Sequence, residues 1–87
     1  MTVTSAQVRM ARAALNWTVR DLAEATQLHR NTITNIETGK YMGDQETLAK
    51  IAVVLKRAGV EFIDENGGGP GVRLRKRQQK KKSKIDG

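Results

Sequence analysis

Arg30, Asn31, Thr34 and Asn35 sit in the stretch LHRNTITNIETGK, residues 28–40, among the apolar Leu28, Ile33 and Ile36. In a helix Ile33 and Ile36 take one face and the four polar side chains project from the other. Their chemistry suits hydrogen-bonded readout. A guanidinium bridges guanine O6 and N7, a carboxamide pairs bidentately with adenine, and threonine offers a hydroxyl or a methyl contact to thymine. Exposed helix faces are polar in most proteins, so these residues alone leave a plain solvated face open as well. Catalysis has less behind it. His29 is the sole histidine and cysteine is absent, so no partner by spacing makes it a base, a nucleophile's activator or a metal ligand. No glycine-rich phosphate loop follows a strand. No catalytic residue, cofactor or metal is expected.

The elements that would carry these residues belong to one small chain of 87 residues, 38% apolar, with a core that only just offsets chain entropy. The N-terminal MTVTSAQVRMARAALN has no uninterrupted apolar run, and no stretch reaches the roughly 18 apolar residues of a membrane span. Together with the lack of cysteine this fits a soluble chain in a reducing, cytoplasmic compartment. The net charge is +7, and its distribution matters more than its total. Residues 1–72 carry eight Lys/Arg and eight Asp/Glu, whereas the last fifteen carry eight Lys/Arg against Asp86 alone. All of the excess lies in a basic arm, and composition by itself assigns no nucleic-acid binding to the neutral part.

Local signals divide the chain. Thr4 with Gln7 forms a capping box, flanked by Val3 and Val8 as a hydrophobic staple, so a first helix begins at about residue 5 with Val8, Ala11 and Leu15 on one face. Asn16 and Trp17 interrupt it. Thr18 with Asp21, stapled by Trp17 and Leu22, opens a second short helix through about Ala25. Thr26, Gln27 and Leu28 form a tight joint before a third helix over about 30–38, stopped by Gly39 as the left-handed residue after the C-cap. Asp44 caps a fourth helix with Leu48, Ile51, Ala52 and Leu55 at i, i+3, i+4 and i+7, and Gly59 ends it. VEFI and VRLR then alternate like strands around the loop DENGGGPG, which predicts a terminal hairpin. From Lys76 onward the single-sign charge predicts a disordered tail.

The stretch LNWTVRDLAEATQLHRNTITNIETGKY resembles the XRE/Cro-like, or phage-repressor, helix-turn-helix family. The elements that carry the resemblance are Thr18 as cap, Leu22-Ala23 in the second helix, Gln27-Leu28 at the turn, and Ile36-Glu37-Thr38-Gly39 at the end of the third; it covers about residues 5–58. It implies a mainly α, four-helix phage-repressor-like domain over 1–59, to which the strand alternation and the charge pattern add a short β-hairpin over 60–75 available for dimerisation and a flexible basic tail over 76–87. In this family the third helix enters the major groove. By that resemblance Arg30, Asn31, Thr34 and Asn35 read bases, and Thr18, His29, Lys40 and Tyr41 contact phosphates. Arg12 matches a family arginine that bonds the glutamate ending the third helix, here Glu37; with Gly39 the pair supports that helix.

Three positions depart from the pattern. Val19 replaces a phosphate-bonding glutamine. Gln27 replaces the turn glycine, at a cost of roughly 1 kcal/mol if its backbone is left-handed. His29 stands where Ser or Thr usually caps the third helix, and is expected to cap it poorly.

One short reading helix spans only a few base pairs, so the resemblance implies a homodimer over two half-sites about 34 Å apart. The candidate interface is the fourth helix with the hairpin, either by packing Val60, Phe62, Val72 and Leu74 across a two-fold or by pairing an exposed strand edge. The basic arm would add sequence-independent phosphate attraction. The expected function is therefore a double-stranded-DNA-binding transcriptional regulator, a repressor of bacterial type. The competing reading is a protein-interaction module such as an antitoxin, whose C-terminal region folds on a protein partner.

Overall fold

The computed structural model describes residues 3–64 and 66–75. Four helices come first, α1 (Ser5–Ala14), α2 (Val19–Thr26), α3 (Arg30–Glu37) and α4 (Gln45–Ala58), followed by strands β1 (Val60–Ile63) and β2 (Gly71–Leu74). The tail predicted from Lys76 lies outside the described residues.

Each helix starts where a side chain replaces a missing backbone acceptor. The Thr4 hydroxyl accepts the Gln7 N–H at 3.1 Å, and Gln7 Oε1 returns the contact to the Thr4 N–H at 3.0 Å. Thr18 and Asp21 form the same reciprocal box at 3.0 and 2.8 Å. Asp44 accepts from the Thr47 N–H at 2.7 Å. That bond holds its carboxyl below the ordinary carboxylate range. Two helices end in left-handed glycines, Gly39 at φ +80° just beyond α3 and Gly59 at φ +116° closing α4.

α2 runs one residue further than its sequence indicates and includes Thr26, which is fully buried. The Thr26 hydroxyl donates back to the Leu22 carbonyl at 2.7 Å, so the side chain is satisfied inside the last turn. The joint is consequently Gln27 to His29. Gln27 occupies the left-handed region at φ 61°, ψ 30°, where a Cβ is unfavourable. Gln27→Gly should therefore raise stability by about 1 kcal/mol, read as a higher midpoint in thermal melting; a lower midpoint would show that the glutamine side chain is needed there.

One core joins the four helices and β1: Val8 and Ala11 of α1, Leu22 of α2, Ile33 and Ile36 of α3, Ile51 and Leu55 of α4, and Val60 of β1 are all essentially solvent-free. The strands pair antiparallel with Val60 opposite Leu74 and Phe62 opposite Val72. These four share the inner face, and Glu61 and Arg73 pair on the outer one at 2.7 Å. Phe62 and Val72 pack against the core, while Leu74 remains 52% exposed.

Gln7 fastens the hairpin to the helices. Its side chain is buried, with Nε2 donating to the carbonyls of Ile63 and Gly71, both at 3.0 Å, where the two strands part. One carboxamide thus completes the cap of α1 and closes the mouth of the hairpin loop.

Candidate nucleic-acid interface

α3 has eight residues, too few to persist as an isolated helix in water. Tertiary contacts must hold it, and they do so at both ends and along one face. Ile33 and Ile36 are buried. Arg30, Asn31 and Thr34 are exposed on the opposite side and Asn35 is half-buried beside them.

At the N-terminus of α3, His29 has extended backbone angles, and its Nδ1 accepts the Asn31 N–H at 3.0 Å. The ring therefore caps the helix in place of the usual hydroxyl, correcting the expectation of a poor cap. An accepting Nδ1 requires the ring hydrogen on Nε2, which leaves an exposed donor next to Arg30.

At the C-terminus, each of the last four carbonyls of α3 has a partner. Thr34 O accepts from the Thr38 N–H and hydroxyl, both at 2.9 Å. Asn35 O accepts from the Tyr41 N–H at 3.1 Å and Ile36 O from the Gly39 N–H at 3.2 Å. Glu37 O accepts from Arg9 Nη1. This is a complete account of the groups a helix end leaves unpaired, and the Arg9 charge also opposes the negative end of the helix dipole. Nothing in the pattern around Arg9 announces this role, although its i, i+3 relation to Arg12 places both arginines on one face of α1.

Arg12 and Glu37, far apart in sequence, meet in a bidentate pair, Nε to Oε2 at 2.8 Å and Nη2 to Oε1 at 3.0 Å, with their side chains 24% and 6% exposed. Hydrogen bonding to Glu37 raises the Arg12 pKa above its ordinary value. Arg12 Nη1 also donates to the Trp17 carbonyl at 2.9 Å, so one guanidinium ties α1, the start of α2 and the end of α3 together.

Charge is laid out simply. The one acid of α3 is Glu37, buried and paired, so the helix exposes no carboxylate. Arg30 and Lys40 are exposed and make no ion pair among the described residues, whereas Arg20 pairs with Glu24 at 3.3 Å beside the joint. The Thr18 oxygen is occupied by its cap, but the residue is exposed and its hydroxyl hydrogen is free to be donated. Tyr41 is 43% exposed, and its N–H is committed to α3. Among the described residues no group of His, Cys, Asp and Glu could hold a metal ion, and no helix is long and apolar enough to cross a membrane.

An exposed polar helix, anchored through a three-residue joint to a capped partner helix, defines a helix-turn-helix DNA-binding module. The helix-turn-helix family model HTH_3 matches residues 8–62, and the chain belongs to this XRE/Cro-like family of DNA-binding regulators. A search of curated proteins finds no match.

Proposed function

We propose that this protein is a sequence-specific transcriptional repressor of the bacterial cytoplasm that occupies an inverted-repeat operator as a homodimer. The observation that supports this reading best is the exposed Arg30, Asn31 and Thr34 face on a helix satisfied at both ends. A reading helix must present its side chains without rearrangement, because a loosely held donor loses its discrimination. In this reading Arg30, Asn31, Thr34 and Asn35 touch base edges. Thr18, the Nε2–H of His29, Lys40 and Tyr41 contact phosphates on either side and set register. Of the hairpin residues proposed for the dimer, Leu74 is the one whose side chain a partner can reach directly.

Selection of bound duplexes from a random library by the whole chain is the test. An inverted repeat with half-sites one turn apart is the expected product, and recovery of unrelated sequences would reject the reading. Arg30→Ala or Asn31→Ala should each cost about 1–3 kcal/mol of discrimination at one base position, with melting unchanged. Lys40→Ala should weaken all sequences alike and reduce the log–log salt slope by about 0.9. A Lys40 variant that changes base preference instead would overturn the division of roles.

A further inference from the structure

Successive residues of an antiparallel strand turn their N–H and C=O groups alternately toward one neighbour and the other. Arg75 donates across the hairpin to the Gly59 carbonyl at 2.7 Å. By alternation Arg73 and Gly71 also face β1, while Val72 and Leu74 turn their backbone groups away from it. Among the described residues the sheet has two strands, and no hydrogen-bond partner for those outward groups occurs. β2 contains neither proline nor bulge, and the charge of Arg73 is matched by Glu61. The usual devices that protect a free edge are thus weak here.

We propose that this edge is the interface with a second copy of the chain. Two β2 strands pair antiparallel about a two-fold axis at Val72, joining the hairpins into one four-stranded sheet. The inference rests on the homodimer of the proposed function and assigns its surface and register.

Side-chain chemistry selects that register. An axis at Val72 lets the two Val72 residues exchange both backbone bonds, and lets each Leu74 N–H reach the Pro70 carbonyl of the second copy. Leu74, 52% exposed in the single chain, then lies against that proline ring. Arg73 falls opposite a glycine, Gly71. Shifting the axis to Arg73 sets the two arginines directly opposite each other, and shifting it to Leu74 sets Arg73 opposite Arg75; both place like charges in contact. The Val72 axis also places Arg75 beside the second copy's loop, which opens on the exposed Asp64.

The chain has no cysteine, so single cysteines report the register cleanly. Val72→Cys should cross-link under mild oxidation, because paired Cα atoms lie about 5.5 Å apart, within disulfide reach. Leu74→Cys should not, with its two copies offset by roughly 13 Å at the strand rise of ~3.3 Å per residue. Leu74→Pro removes an outward N–H that the hairpin itself does not use. It should keep the wild-type thermal transition yet sediment as a monomer of the 9.6 kDa chain, at concentrations where the wild type doubles its mass. A wild type that stays monomeric, a Leu74→Pro variant that stays dimeric, or cross-linking at 73 or 74 in place of 72 would overturn the proposal. DNA separates it from the reading on which it rests. Leu74→Pro should bind a single half-site duplex like the wild type and lose the additional affinity for the inverted repeat. A wild-type dimer that cross-links at Val72 but selects no DNA sequence would leave the edge assignment standing and reject the operator.

Discussion

Glu37→Ala should lower the unfolding free energy by about 3 kcal/mol, the low end for breaking a buried pair, and weaken binding to every DNA sequence by a similar factor. The carboxylate is 6% exposed and accepts both arms of the Arg12 fork. Its removal leaves a guanidinium, itself only 24% exposed, with the Trp17 carbonyl as its remaining partner among the described residues. For a domain of this size the loss corresponds to a fall of about 12–24 °C in Tm. The DNA effect is indirect. α3 depends on its C-terminal contacts, so a loosened end disorders all four side chains proposed to read bases together rather than one of them. Thermal melting of the variant decides the matter, and an unchanged Tm would reject the bracing role. The Arg12→Ala, Glu37→Ala double variant should lose less than the sum of the single losses, since the second change removes the charge stranded by the first. Because the pair raises the Arg12 pKa, the arginine's share of its stabilisation is present below the unfolded arginine pKa and is lost only above it. At neutral pH that share is therefore fully present.

Gln7→Glu should be comparably damaging at neutral pH, by about 3 kcal/mol, in a change of one atom and no volume. Nε2 donates to Ile63 O and Gly71 O. A carboxylate oxygen in its place would face two carbonyl oxygens at a site 1% exposed, with no donor to offset them. Burial and that repulsion both favour the protonated acid, which raises the folded-state pKa of the new glutamate above its unfolded value. The sign follows: the variant is most stable below the unfolded glutamate pKa and loses stability as pH rises through the folded one. The wild type has no titrating group at this position. Melting both proteins between acid and neutral pH should show the deficit growing with pH; a deficit independent of pH would mean that Gln7 does not hold the hairpin mouth as described.

These two residues also mark where reading the sequence stops. Gln7 is legible as half of a capping box with Thr4, a relation across three residues, and the box forms as the spacing predicts. Its second use, across 56 and 64 residues, depends on where the hairpin lands, and no local pattern encodes that. Arg9 is similar: a cation on α1 is visible in the sequence, whereas its bond to Glu37 O exists only because α3 ends beside it. His29 caps α3 although helix caps are usually carboxylates, carboxamides and hydroxyls, because the extended backbone here brings a ring nitrogen to the Asn31 N–H.

What the sequence by itself determined were the features set by periodicity and caps: the four helices, the left-handed stops at Gly39 and Gly59, the polar face of α3, the alternation of the two strands, and through its spaced motifs the family. These rest on interactions within a few residues, so chain order suffices to state them. Only the tertiary structure decided how an eight-residue α3 is held at its carbonyl end, that Val60, Phe62 and Val72 turn into the chain's own core while Leu74 does not, and which edge of β2 has no partner among the described residues. Those depend on contacts between distant segments, whose geometry appears only once the elements have packed.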